Sequence, residues 1–151
     1  MPPAKKMQIE ASRPKFAERV RQDYGIEMHP GPFEVNSIQP HILSKYAEAQ
    51  GLGKEYQEAA MQAYWEKGQA IDDTAVLKDI ARQIGLEITD LDQILENPEY
   101  VKAFQSDLDE AYDNQFNGVP ALVFGEKYLV SGAQPYETLV QVTERVKSEG
   151  L

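Results

Sequence analysis

The fold class turns on Gly118-Val119-Pro120-Ala121-Leu122-Val123-Phe124. From Ala121 to Phe124 the run is continuously apolar, with Val and Phe among its members, and Pro120 and Gly125 bound it. A short unbroken apolar run suits a strand covered on both faces, because a half-exposed strand alternates. Gly125-Glu126 can then turn the chain into a second strand, Lys127-Tyr128-Leu129-Val130, which Ser131-Gly132-Ala133-Gln134 breaks. An isolated hairpin is marginal in water, and an unpaired edge templates association. The sheet therefore reads as incomplete. Its other strands are expected from the loop near Phe33, from a second copy, or from another chain.

Away from this hairpin the pattern is helical. Phe16, Val20 and Tyr24 recur every fourth residue in a helix expected from about Met7 to Tyr24, with Ser12 as cap and Pro14 in the first turn. His29-Pro30 and Gly31-Pro32 mark a loop of some extended character from Ile26 to Asn36. Ser37 is expected to cap a helix that Gly51 ends, and Gly68 closes a second helix running from about Lys54 to Lys67. Asp72 or Asp73 caps a third, whose Val76, Leu77, Ile80, Ala81 and Ile84 form an apolar stripe, and Thr89 opens a short fourth. Asn97-Pro98 starts a helix through Tyr100, Phe104 and Leu108 toward Asn117, and Pro135 starts the last one.

Composition narrows the function classes. Lys and Arg total 15 against 25 Asp and Glu, a formal charge of -10 that repels phosphate backbones and anionic lipid. Neither nucleic acid nor membrane is an expected partner, and Met7-Gln8-Ile9-Glu10 turns polar too soon for a signal peptide, so a cytoplasmic location is expected. The chain of 151 residues has no cysteine, which excludes disulfides and thiolate metal sites. Its two histidines, His29 and His41, lack the spacing of a metal site, so neither a metal nor another cofactor is expected. His41, one turn into its helix, is expected to be partly buried and hydrogen-bonded. Tyr64 and Trp65 are expected in the core.

Taken together, Gly118–Phe124, the Tyr128–Tyr136 segment, Asn36-Ser37, His41, Tyr64-Trp65, Ile71-Asp72-Asp73 and Leu77 resemble the DsbA-like thioredoxin family, with the FrnE-like disulfide oxidoreductases as the nearest subgroup. The resemblance runs from about Phe33 to Val146. It implies an α/β, thioredoxin-like fold with a large helical subdomain (about 37–117) followed by a thioredoxin hairpin and helix (about 118–149), in one partial domain spanning 1–151. It also implies that the family's N-terminal strand and Cys-x-x-Cys part have no counterpart here. The chain then reads as a shortened relative, a fragment, or one whose start is misplaced.

The family's reaction is dithiol–disulfide exchange by a low-pKa thiolate, so the resemblance implies a member without catalytic residues, redox-inactive alone. By position, Val119-Pro120 matches the cis-proline loop that holds an extended substrate, and Asn36, Ser37, His41 and Gln134 match cleft-lining positions. Expected partners are an extended peptide or glutathione-like thiol, and a second copy paired through the hairpin edge. A peptide- or thiol-binding module without chemistry is the alternative. So is a relative of the glutathione-dependent isomerases and transferases, although their aromatic-Gly-x-Asp-Arg segment is missing from Val130–Pro135.

Overall fold

A computed structural model describes residues 2–150 and divides into two compact units, Met1–Phe104 and Gln105–Leu151. The first contains α1 (Pro3–Tyr24), α2 (Ile38–Ala49), α3 (Gly53–Trp65), α4 (Thr74–Gln83), α5 (Leu91–Leu95) and the start of α6 (Pro98–Asp113). Tyr56, Ala59 and Ala63 share one face of α3 and are buried. The two alanines let the neighbouring helices approach closely, and α3 packs on both α2 and α4. Leu43 and Ala47 of α2 and Leu77, Ile80 and Ala81 of α4 complete the centre of this core, with Leu86, Leu91 and Ile94 closing it.

The helix starts use short polar side chains, though not always the expected ones. Asp73 accepts from the Ala75 amide at 2.7 Å and caps α4, while Asp72 accepts from the Asn36 amide at 2.9 Å and ties the preceding loop down. Ser37 occupies the cap position of α2 without a side-chain bond, and Asn36 Oδ1 accepts from the Ile38 amide at 3.1 Å instead. The short α5 is capped by Asp90, not Thr89, through the amides of Asp92 and Gln93 at 3.0 and 3.2 Å. A carboxylate is the stronger acceptor for those free donors. At α6 the expected cap holds, with Asn97 Oδ1 accepting from the Glu99 amide at 2.9 Å.

Further readings of this unit are corrected. Helix α1 begins at Pro3, so Pro14 lies inside it and Ser12 donates to the Ile9 carbonyl at 2.8 Å instead of capping. Pro3 already supplies a first-turn proline, and the helix passes through the later Ser-x-Pro signal. None of its residues is buried, and Phe16 is 54% exposed, so the four-residue spacing marks no core face. The loop from Ile26 to Asn36 forms a turn at Phe33-Glu34 and no strand. Tyr64 is half-buried and Trp65 is 36% exposed, because the core-facing positions of α3 are taken by Tyr56, Ala59 and Ala63.

In the second unit, β1 (Ala121–Phe124) pairs antiparallel with β2 (Tyr128–Ser131), and α7 (Tyr136–Ser148) packs on β1. The register sets Leu122 opposite Val130, Val123 opposite Leu129 and Phe124 opposite Tyr128. Gly125 and Glu126, both at φ 56, make the turn, and the Lys127 amide donates to the Phe124 carbonyl at 3.2 Å. Among the described residues these strands form the entire sheet. Phe124, Tyr128 and Val130 share the half-buried face, whereas Val123 and Leu129 on the other face are 51% and 40% exposed. The expectation of cover on both faces is corrected. One helix covers one face of a hairpin.

Candidate functional site

The loop entering β1 is the most distinctive backbone in the second unit. The Val119–Pro120 peptide bond is cis. The Gly132 amide donates to the Pro120 carbonyl at 2.8 Å, extending the hairpin pairing by one residue beyond Ala121 and Ser131. On the neighbouring strand end, Gln134 Nε2 donates to the Ser131 carbonyl at 2.9 Å and closes the turn around Gly132. Val119 itself is 91% exposed, and its amide and carbonyl make no hydrogen bond within the protein among the described residues. An apolar side chain flanked by free backbone groups is what an extended peptide can pair with, using main-chain bonds for affinity.

Asn36, Ser37 and His41 lie together at the start of α2, in the first unit, whereas Val119, Pro120 and Gln134 belong to the second. Asn36 is occupied twice, its amide by Asp72 and its side-chain oxygen by the Ile38 amide. His41 is exposed and stacks on Phe104, with ring centroids 5.9 Å apart and planes 11° off parallel. The expected hydrogen-bonded, partly buried histidine is thus a ring-stacked one. The helical spacing of Phe104 within α6 marked it as apolar, but nothing in the sequence paired it with a residue so far upstream.

The strongest electrostatic cluster was not legible in the sequence. Glu149, just past the end of α7, accepts from Lys127 Nζ at 2.8 Å, from the Tyr128 hydroxyl at 2.6 Å and from Arg145 Nε at 3.1 Å. Lys127, then Tyr128 and Arg145, hold its carboxyl at about 2, far below the ordinary carboxylate value. Arg145 also sits 4.8 Å from the Tyr128 ring centroid. A carboxylate at a helix C-terminus opposes the dipole, and here the two cations compensate it. The cluster joins the hairpin to α7, so it is a clamp for this unit. Among the described residues no three His, Asp or Glu side chains converge as a metal site, and no helix is long and apolar enough to cross a membrane.

With these features placed, comparison with known proteins adds one finding. The family model of the DSBA-like thioredoxin domain matches residues 6–144, which includes most of α1 and the loop after it as well as the hairpin. No curated protein matches the chain.

Proposed function

This chain belongs to the DsbA-like thioredoxin family, and from that premise we propose that it is a member that binds without exchanging disulfides. The observation that carries the proposal is the cysteine count of zero within a chain so largely covered by the family. Thiol–disulfide exchange needs a thiolate to attack one sulfur and a second thiol to release the mixed disulfide. The sulfur present is that of four methionines, and a thioether can do neither.

What remains is a holding site. The Val119-Pro120 loop, with the free backbone groups of Val119, supports capture of an extended peptide, and a small thiol such as reduced glutathione is the lesser candidate. Gln134, which closes the turn beside that loop, belongs to the same proposal as a secondary contact. The FrnE-like subgroup is part of it too, on the resemblance of the helical subdomain and hairpin. A second copy is the proposed partner through the hairpin, on the strength of the exposed Val123 and Leu129 and the unpaired strand edges.

Reduction of insulin disulfides by the pure protein, with dithiothreitol present, tests the central proposal. The expected rate equals that of a control without protein. A reproducible rate above that control would overturn it.

A further inference from the structure

The first unit contains a groove beneath α1 that the Val119 loop has no part in. Two adjoining cavities of about 360 and 420 Å³ share Arg13, Ala17, Met28 and Pro30 in their walls. The first is walled chiefly by Phe16, Phe33, Tyr64 and Trp65, with Tyr64 and Trp65 edge-to-face at 4.9 Å. Volumes of this size match small-molecule sites, in which aromatic walls supply contact and a few polar groups supply orientation.

Charge gives the groove a preference. Among the described residues Arg13 is the only formally charged side chain lining either cavity, with His29 counted as neutral, and no carboxylate lines them, in a chain with a net charge of -10. The nearby acids Glu34 and Glu27 lie outside the walls, 3.6 Å from Lys6 Nζ and 3.8 Å from His29 Nε2 respectively. Arg13 is itself held in place. Its Nη2 donates to the Gly31 carbonyl at 3.2 Å, and its guanidinium carbon lies 4.1 Å from the Phe33 ring centroid. A guanidinium has five N–H donors, so the bond to Gly31 leaves others for a ligand.

We propose that this groove binds a small aromatic carboxylate, its ring among Phe16, Phe33, Tyr64 and Trp65 and its carboxylate on Arg13. A planar guanidinium matches a carboxylate with two parallel hydrogen bonds, and a fixed guanidinium loses less freedom on pairing than a loose one. The aromatic walls favour a ring over an alkyl chain.

The test uses the full chain and a matched pair of probes, 4-(trifluoromethyl)benzoate and its neutral amide. Fluorine NMR follows the ligand, and emission from Trp65, the chain's single tryptophan, reports from the groove wall. The benzoate is expected to bind saturably and at least about tenfold more tightly than the amide, the scale of a hydrogen bond to a charged group. Arg13→Gln is expected to abolish that preference. Ala17→Phe fills the shared wall and is expected to abolish binding of both probes with the far-ultraviolet circular dichroism unchanged, which keeps the test decisive if Arg13→Gln disturbs the loop. Equal affinity for acid and amide, a preference that survives Arg13→Gln, binding that survives Ala17→Phe, or no saturable binding in the millimolar range would each overturn the proposal.

Discussion

Replacing Tyr56 with phenylalanine removes one oxygen from the tightest part of the first unit. Tyr56 is 2% exposed, packed among Leu43, Ala47 and Leu77, and its hydroxyl has no hydrogen-bond partner among the described residues. Burial alone pushes its ionisation well above the ordinary tyrosine value, so the hydroxyl is neutral at any physiological pH. A buried hydroxyl without a partner costs about 1–3 kcal/mol of desolvation, and no hydrogen bond is lost when it goes. The ring stays, so no cavity opens. Tyr56→Phe is therefore expected to stabilise the unit by about 1 kcal/mol, the lower end of that range. The assay is urea unfolding followed by Trp65 fluorescence, because Trp65 lies on the same helix as Tyr56 and reports this unit alone. The midpoint should rise with the slope unchanged. A loss of about 0.5 kcal/mol or more would instead mean that the hydroxyl has a partner such as a buried water, contrary to this prediction. Tyr56→Ala is the contrasting control, expected to cost about 3–5 kcal/mol through the cavity it leaves.

Further outcomes follow from the same structure. Glu149→Gln should destabilise the second unit at neutral pH. Because the native carboxyl is held at about 2 against an ordinary value of 4.5, its contribution is complete above 4.5 and fades as pH falls toward 2, so the wild-type and variant melting curves should converge across that window. Gly31→Ala should cost about 1–3 kcal/mol, since a new Cβ would sit 2.5 Å from the Gln69 carbonyl oxygen and 2.6 Å from the Tyr64 ring. Asp73→Ala should cost about 1 kcal/mol in chemical denaturation by leaving the Ala75 amide without its cap. Val123→Asp, at an exposed position, should leave the fold intact and return the mass in light scattering from twice 17.0 kDa to 17.0 kDa; a wild-type protein already at 17.0 kDa would remove the hairpin dimer.

The hairpin was legible because a continuous apolar run between Pro120 and Gly125 leaves few alternatives to a strand. The α4 stripe was legible for the same kind of reason, and its Leu77, Ile80 and Ala81 are buried. Helix starts were read less well. Asn36, Ser37, Asp72 and Asp73 are all competent acceptors, and local sequence does not show that Asp72 is taken by a residue 36 positions upstream. Pro14 misled because Ser-x-Pro is a start signal that a helix already under way from Pro3 can carry through. Of the candidate site, Val119 and Pro120 were read from resemblance, and their exposure came only with the structure. Arg13 on Phe33 and Glu149 on Lys127 were invisible, since both join residues about twenty apart with no periodic relation.

The most direct measurement of the central claim is a two-dimensional amide NMR titration of the protein with an extended peptide that carries an internal disulfide. Binding without exchange predicts saturable shifts at Val119, Ala121 and Gly132 while the peptide's disulfide stays intact. No shift at Val119 at millimolar peptide, or reduction of the peptide by the protein, would contradict it.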